Sequence, residues 1–440
     1  MDWQEEFKRK YVTADEAVKV VKSGDKVFIP IDTEAQTLLS ALIRRKDELE
    51  NVKILLRNPR IDLGWLQNNL SPSFHIMIDT QAGAGSKILN EKRLDFIPFV
   101  TSLRFKYEED KRRISEDIDV VMIVVSPPDR NGFCSFGIYL SHKLDYTRRA
   151  KKVLAEVKDA THMMVKTFGD NYIHVSQIDY FVPHAPFPHS SISSKQKPGK
   201  NEKNIAEYVS TLIHDGDTIQ MGPGLAVTSV PELGGFDGKC DLGCHSAFIG
   251  PELLKLIRNG VINGKRKNIN PGKAVSGGFM EIESKEDLSF IDGNPVFEVR
   301  NMSYINNIRV IASHDHMVAI NSPLAIDLSG QLAVDSLQNR MYGGAGGQVD
   351  FVMGAMLSKG GCSIAVMHST ASGGTISRIV PALEQGTLVS IPFTFADYVV
   401  TEYGIAKLWG KSLKQRAQEL IAIAHPNFQP ELKKKLAKLY

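Results

Sequence analysis

Helix-like and strand-like patterns of apolar residues alternate along most of the chain. Residues 13–21 carry apolar side chains at the spacing of one helix face, and the apolar run 27–30 that follows predicts a short buried strand. Similar runs predict strands at 52–56, 119–125, 218–221, 310–312, 317–320, 363–367 and 398–400. Helical spacing predicts helices at 146–153, 204–214 and 430–440. This alternation is typical of an α/β fold with mainly parallel sheets.

A change in composition predicts where the chain divides. The segment 186–203 is rich in Pro, Ser and Lys and lacks apolar periodicity. We therefore predict an N-terminal domain over residues 1–185, a linker over 186–203 and a C-terminal domain over 204–440.

Two local patterns occur in the same order in both halves of the chain. A helix, a Gly-Asp pair and a strand follow one another at Gly24-Asp25 and again at Gly216-Asp217. A strand that ends at Ser-Pro occurs at Ser126 and again, at nearly the same offset, at Ser322. We interpret these near-equal offsets as duplication of an α/β unit.

Composition and charge exclude several classes of protein. The chain has 440 residues, of which 42% are hydrophobic and 23% charged, as in a folded globular protein. Its formal net charge of +3 is too small for a nucleic-acid-binding surface. The charged N-terminus lacks a secretory signal, and the apolar run near 120–125 is too short to span a bilayer. With four cysteines and no C-x-x-C pair, we expect a cytoplasmic protein without disulfides, bound neither to nucleic acid nor to membrane.

Three glycine-rich turns are candidates for ligand binding, because glycine lets backbone N–H groups approach an anion closely. They lie at 221–225, 343–348 and 369–375. The first could also be a plain strand-to-helix turn, and Pro223 removes one donor from it. Four glycines in five residues favour a binding role for the second, whereas the third could equally be a hydroxyl-rich surface loop.

Motifs spread over essentially the whole chain resemble the acetyl-CoA hydrolase/transferase family, which includes butyryl-CoA:acetate and 4-hydroxybutyrate CoA-transferases. They are VVSPPD at 124–129, GFCS at 132–135, GGQVDF at 346–351, ISRIVP at 376–381, TEYG at 401–404 and IAHP at 423–426. The resemblance implies two tandem CoA-transferase-type α/β domains with mainly parallel sheets. It also implies a homodimer, or a hetero-oligomer with a paralogous subunit, that acts on an acyl-CoA and a small carboxylate. Coenzyme A would be a co-substrate, with no covalently bound cofactor and no metal.

The resemblance also singles out Ala247. In that family a glutamate attacks the acyl-CoA thioester, an acyl anhydride forms, and CoA returns to give a glutamyl-CoA thioester. The stretch that matches the family's His-Thr-Glu-Met is His245-Ser246-Ala247-Phe248, so Ala247 stands at the position of the nucleophile. A methyl group cannot form an anhydride, and the family's mechanism therefore cannot run at this position.

Three further departures from the family pattern accompany Ala247. Leu225 ends a turn that is typically Gly-Ile-Gly-Gly, Ser372 replaces a lysine, and Gly250-Pro251-Glu252 replaces Ser-Asp-Gly. One engineered Glu-to-Ala substitution would not explain all four differences, so natural divergence is the more economical interpretation.

On this basis we predict the following site residues. Ala247 marks the nucleophile position, and Glu34 resembles an acidic position that lines the acyl site, although an exposed loop carboxylate is an equal alternative. We assign CoA binding to Gly222, Pro223, Gly224, Leu225, Ser322, Ala345, Gly346 and Ser372.

Other residues are weaker candidates. Cys244 beside His245 could supply a thiol nucleophile, and Glu252 a carboxylate, although a carboxylate that stabilises a helix start is the more economical role. His314 and His316 have the spacing of a metal pair on a strand, but we favour a surface pair. His174 is expected to satisfy hydrogen bonds in a partly buried strand.

The predicted function is that of an acyl-CoA:carboxylate CoA-transferase-like protein that handles short acyl-CoA thioesters and lacks its nucleophile, through divergence or engineering. Two alternatives stay open. One is a catalytically inactive subunit that completes a partner's site. The other is a CoA-thioester hydrolase or lyase on the same fold.

Overall fold

The computed structural model describes residues 2–30, 35–57, 70, 72–79, 88–104, 118–185, 197–344 and 346–439. Unit 1 consists of Met1–Ile192 together with Gly277–Tyr304, and unit 2 consists of Ser193–Ser276 together with Ile305–Tyr440. Most of the predicted linker 186–203 lies outside the described residues, and a helix already begins at Lys200. The division of the chain at this linker stays a prediction.

The helices and strands are short and alternate through both units. The strands are β1 (Lys26–Ile29), β2 (Val52–Leu56), β3 (Phe74–Ile78), β4 (Asp95–Phe96), β5 (Ile118–Val125), β6 (Phe133–Ser135), β7 (Ala150–Val157), β8 (Phe168–Gly169), β9 (Tyr172–His174), β10 (Tyr180–Pro183), β11 (Thr218–Met221), β12 (Gly243–Ser246), β13 (Ala274–Ser276), β14 (Phe297–Val299), β15 (Met317–Asn321), β16 (Ala325–Asp327), β17 (Leu332–Ala333), β18 (Ser336–Leu337), β19 (Arg340–Met341), β20 (Cys362–Val366), β21 (Thr370–Ala371), β22 (Ile376–Ser377), β23 (Ile379–Val380), β24 (Tyr398–Thr401) and β25 (Gly404–Lys407). The α-helices are α1 (Trp3–Lys10), α2 (Ala14–Ala17), α3 (Gln36–Arg44), α4 (Lys143–Thr147), α5 (Thr161–Met164), α6 (Lys200–Ser210), α7 (Leu225–Glu232), α8 (Pro251–Arg258), α9 (Lys285–Ile291), α10 (Met302–Ile305), α11 (Ile308–Ser313), α12 (Gln348–Leu357), α13 (Leu413–Ala422) and α14 (Gln429–Leu439).

Unit 1 is built on a parallel sheet with the strand order β10-β7-β5-β1-β2-β3-β4. The central strand β5 is buried from Val120 to Val125, as expected for a strand covered on both faces. The segment Gly277–Tyr304 belongs to this unit, where β14 pairs with β8.

Unit 2 repeats this strand order. Its sheet contains β25-β24-β20-β15-β11-β12-β13, all parallel except the edge strand β25. If the six parallel strands of each unit are numbered in chain order, both sheets have the strand order 6-5-4-1-2-3. The six strands run from β10 to β3 in unit 1 and from β24 to β13 in unit 2. The order therefore reverses between β1 and β5 in unit 1 and between β11 and β15 in unit 2.

The turns that precede the first strand of each unit share their hydrogen bonds as well. Asp25 Oδ2 accepts from the backbone N–H of Lys22 at 2.8 Å, and Asp217 Oδ2 accepts from that of His214 at 2.7 Å. Gly24 and Gly216 precede these aspartates with φ of 84° and 87°. This common geometry and the common strand order support the predicted duplication.

Most of the predicted strands are confirmed, including 52–56, 218–221 and 317–320. The strand prediction at 310–312 is wrong, because these residues lie in α11, whose N-cap Asn307 side chain accepts from Arg309 N. Ile311 packs so closely on α12 that a Cβ at Gly354 would lie 2.4 Å from its Cγ2 atom. The helix predicted at 146–153 is also wrong beyond Thr147, because residues 150–157 form the strand β7 between β5 and β10.

No helix in the described ranges combines the length and apolar character needed to cross a bilayer. All four cysteines are free thiols. Among the residues that the structure describes, no group of three or more His, Cys, Asp or Glu side chains is arranged to hold a metal ion.

Candidate functional site

The predicted CoA-binding turn lies where the strand order of unit 2 reverses. The turn 222–225 follows β11, Ser322 follows β15, and these two strands are parallel neighbours. Open parallel sheets bind ligands outside the carboxyl ends of the strands at this reversal point. The sequence prediction and the topology thus indicate the same edge of the sheet.

Gly222 and Gly224 are required by close contacts with the end of β15. A Cβ at Gly222 would lie 2.4 Å from Asn321 Oδ1, and one at Gly224 would lie 3.4 Å from the Cβ of Ser322. Gly224 also has a φ of 120°, which side chains rarely allow. The Asn321 amide is itself fixed, because it exchanges two buried hydrogen bonds with Gln220, at 3.1 and 2.8 Å. The turn is therefore held directly against Ser322.

The substitution Gly222→Ala is expected to destabilise unit 2 by about 2–4 kcal/mol, because the new methyl group displaces Asn321 and breaks its paired hydrogen bonds with Gln220. Urea unfolding followed by circular dichroism measures this loss. Gly343→Ala is the matched control, since nothing lies within 4 Å of its added Cβ. Equal stability of the two variants would contradict the role given to this contact.

Ala247 follows β12 directly and is half-buried. The register of β11 and β12 pairs Thr218 with Gly243 and Ile219 with Cys244. Continued to the strand ends, this register brings Ala247 level with Gly222. The two candidate positions thus share one edge of the sheet.

The structure excludes Cys244 as a nucleophile in this state of the chain. Its side chain is fully buried on β12, and burial raises the pKa of its thiol to about 12. A thiol must ionise to attack a thioester, and this one stays protonated at neutral pH. Glu252 lies in the first turn of α8 beside Pro251 at the N-terminus, where a carboxylate favours the helix dipole, as we expected.

The loop that carries Ser372 is anchored by a buried carboxylate. Glu402 accepts hydrogen bonds from Ser369 N at 2.8 Å and Ser369 Oγ at 2.6 Å. Arg378 Nε donates to the carbonyl of Leu324 at 2.7 Å, and Arg378 N donates to the carbonyl of Ser369 at 2.9 Å. These contacts join the segment after β15 to the loop after β20. Ser372 itself is exposed, with a φ of 50°.

The second glycine-rich turn, 343–348, is described except for residue 345. Gly346 precedes α12, whereas Ala345 and Glu34 lie outside the described residues. At the start of α12, a Cβ at Gly347 would lie 2.2 Å from Nδ2 of Asn306. Gln348 and Asn321 line the same small cavity, so the N-terminus of α12 lies near the end of β15.

The two histidines considered as a metal or surface pair are neither. His314 is fully buried and follows α11, whereas His316 is exposed and precedes β15. The ring of His314 lies 4.6 Å from that of His245, and His245 Nε2 donates to the carbonyl of Ile305 at 2.8 Å. Burial lowers the pKa of His245 to about 3 and that of His314 to about 2. His174 ends β9 and its ring accepts from Ser176 N, as we expected of a partly buried histidine that satisfies hydrogen bonds.

Sequence reasoning did not assign a role to Glu402, Arg378 or Asn321. Glu402 and Arg378 belong to motifs that carried the family resemblance, and this was the available signal. Asn321 had no such signal, because its contact with Gly222 joins segments that are far apart in the chain.

The family models of the acetyl-CoA hydrolase/transferase N-terminal and C-terminal domains match residues 1–192 and 284–436. The chain is 37% identical to the 4-hydroxybutyrate coenzyme A transferase of Clostridium kluyveri over 100% of both chains. It is 32% identical to the butyryl-CoA:acetate CoA-transferase of Anaerostipes caccae, over 98% of this chain and 97% of that protein.

Solved structures agree with this result. The crystal structure of RipA from Yersinia pestis has a TM-score of 0.87 at 28% identity and covers 100% of this chain and 99% of RipA. A 4-hydroxybutyrate CoA-transferase from Porphyromonas gingivalis has a TM-score of 0.75 at 33% identity, with 100% of both chains covered. The fold is thus that of the CoA-transferases. The chain belongs to the acetyl-CoA hydrolase/transferase family, which confirms the resemblance.

Proposed function

We infer that this chain binds a short acyl-CoA thioester and a small carboxylate, as an acyl-CoA:carboxylate CoA-transferase-like protein that lacks its nucleophile. The observation that carries this proposal is the position of Ala247. It follows β12 level with the Gly222 turn, beside the strand-order reversal. The resemblance to the family gives this position to the attacking glutamate.

The substrate class is drawn from the relatives. Their names specify 4-hydroxybutyrate and acetate, which are small carboxylates, and butyryl-CoA, which is the CoA thioester of a short acyl group. Gly222, Gly224 and Ser322 supply a tightly packed backbone surface for the CoA side of the reaction. Glu402 and Arg378 fix the third glycine-rich turn, 369–375, whose Ser372 we also assign to CoA binding.

The covalent mechanism of the family requires a carboxylate nucleophile that this chain lacks at position 247. A transferase glutamate attacks the thioester carbonyl, and CoA leaves as a thiolate to give an acyl–glutamyl anhydride. The thiolate then attacks the glutamyl carbonyl of the anhydride, which breaks the bond to the bridging oxygen and releases the acyl group as a free carboxylate. Ala247 offers no oxygen for the first bond, and Cys244 is buried and protonated. The unmodified chain alone is therefore expected to form no covalent CoA adduct.

The test is to restore the carboxylate with Ala247→Glu and to supply butyryl-CoA with acetate. Transferase activity is expected to rise by on the order of 100-fold or more over the unmodified chain, since loss of a nucleophile commonly costs at least this much. Borohydride should reduce a glutamyl thioester in this variant alone, and mass spectrometry of the tryptic peptide locates it. Ala247→Gln is the matched control, because it adds the same bulk without a carboxylate.

Other outcomes separate the alternatives. Acetyl-CoA formation by the unmodified chain at the rate of Ala247→Glu would contradict the proposal. CoA release without transfer would favour a thioester hydrolase. If Ala247→Glu shows transferase activity only after a paralogous subunit is added, the result would favour a chain that completes a partner's site.

A further inference from the structure

Two arginines and one aspartate form a buried cluster at the carboxyl edge of the unit 1 sheet. Arg57 follows β2 and Asp79 follows β3, and the parallel register of these strands aligns their ends. Arg57 Nε donates to Asp79 Oδ1 at 3.0 Å, and Arg104 Nη1 lies 3.3 Å from Asp79 Oδ2. The exposed fractions of the three side chains are 4%, 0% and 11% in the order Arg57, Asp79, Arg104.

Counted over the described residues, the cluster has two guanidinium groups and one carboxylate, an excess of one positive charge. Within the described part of the chain, Arg57 and Arg104 form ion pairs with Asp79 and with no other carboxylate. The neighbouring His142 adds no charge, because burial and the two guanidinium groups lower its pKa well below the usual value. A buried charge without a counterion costs several kcal/mol, so a second anion would stabilise this arrangement.

The guanidinium group of Arg57 has one N–H donor group that makes no hydrogen bond with the described residues. Arg57 Nη1 is buried and has no hydrogen-bond partner among the described residues, and the same is true of His142 Nδ1. Buried donors in native proteins are nearly always satisfied, by protein, water or ligand. An arginine fork with a free N–H matches the geometry of a carboxylate.

Aromatic rings surround the cluster and fix the arginines. The ring of Phe99 lies 5.1 Å from the guanidinium carbon of Arg57 and 4.4 Å from that of Arg104. The hydroxyl of Tyr146 accepts a hydrogen bond from Arg104 Nε, and Phe28 stacks on the Tyr146 ring. Apolar walls and a single excess charge favour a monoanion with a short apolar tail over a phosphate dianion.

We propose that Arg57 and Arg104 bind a small monocarboxylate in unit 1, with Arg57 Nη1 as the principal donor. A carboxylate is one of the two substrates of the proposed function, and its role as substrate rests on that proposal. Binding itself does not, because the site is formed by groups of unit 1 that perform no covalent step.

The test measures binding of butyrate and acetate to the full chain by calorimetry, with no CoA thioester present. We expect saturable binding that is at least about tenfold weaker in Arg57→Gln, since a charge-assisted hydrogen bond is lost. Arg44→Gln is the matched control, because it removes an exposed arginine of the same unit that also pairs with an aspartate. Arg57→Lys keeps the charge without the fork and should also bind more weakly.

Hydrogen exchange on the unmodified chain gives a readout that needs no variant. Butyrate should slow exchange in peptides that cover residues 52–57 and 97–104. Absence of this protection, equal binding by Arg57→Gln, or equally tight binding of inorganic phosphate would overturn the inference. If Ala247→Glu has no transferase activity but butyrate still binds, the result would contradict the proposed transferase function and would still support this binding site.

Discussion

Lowering the pH from about 7.5 to about 5.5 is expected to reduce the unfolding free energy of unit 2 by about 3 kcal/mol. The cause is the pair His245 and His314, whose folded-state pKa values burial lowers to about 3 and about 2. The positive charge of buried Lys267 adds to this effect on both rings. Lys267 is held in place by the carbonyls of Cys244 and Lys273, at 2.9 and 2.8 Å.

The sign follows from proton binding. Above about pH 6.5 both histidines are neutral whether the chain is folded or unfolded, so they add no pH dependence. Below that pH only the unfolded chain binds the two protons, and each histidine then costs about 1.4 kcal/mol per pH unit. The loss continues until the pH approaches the folded-state values near 3 and 2.

Urea unfolding of unit 2, followed by hydrogen exchange at several pH values, measures this slope. His314→Leu should lower the slope by one proton, because it removes one of the two rings that only the unfolded chain protonates. Neither ring nitrogen of His314 has a hydrogen-bond partner among the described residues, so the substitution breaks no hydrogen bond there. His75→Gln, which changes an exposed ring on β3, should leave it unchanged. A slope that His314→Leu does not alter would show that the acid sensitivity arises elsewhere.

The substitution Asp79→Asn is expected to destabilise unit 1 by about 3–5 kcal/mol, because it leaves two buried guanidinium groups without their carboxylate. Arg104→Gln should cost much less, since it leaves a neutral pair of Arg57 and Asp79. Thermal and urea unfolding compare the two variants directly. This order of stabilities is the signature of an excess positive charge.

An exposed ion pair in the same unit provides the control for Asp79→Asn. Asp15 pairs with Arg44, and these side chains are 67% and 58% exposed. Asp15→Asn should therefore change the stability by no more than about 0.5 kcal/mol. A loss in Asp79→Asn as small as that of Asp15→Asn would mean that the cluster is solvated.

The sequence predicted the α/β fold because its signals are local. Buried runs such as 120–125 and 317–320 are apolar over their whole length, as is typical of parallel strands in the middle of a sheet. The run at 310–312 is just as apolar but forms a helix, because Ile311 packs against Gly354 in α12. A short apolar run does not reveal such a partner, and periodicity alone could not decide between helix and strand.

Residues of the candidate site could be proposed from the sequence only where a glycine-rich turn or a family motif marks them. The turn at Gly222 is visible in the sequence, yet its cause, the amide of Asn321, lies on another strand. The cluster of Arg57, Asp79 and Arg104 has no sequence signature, since the register of β2 and β3 and the packing on Phe99 bring it together.

Because Gly277–Tyr304 belongs to unit 1, the chain cannot be divided into two complete units by one truncation or one proteolytic cleavage. This segment is bound there by many hydrogen bonds, including Phe279 N to the carbonyl of Ile138 at 2.7 Å and Ser303 Oγ to Asp145 at 2.8 Å. A fragment that stops at residue 192 would lack part of its own fold, and the complementary fragment would carry that part exposed. A protease nick near residue 192 should therefore leave two pieces that stay associated, as in fragment complementation, and do not separate as free domains.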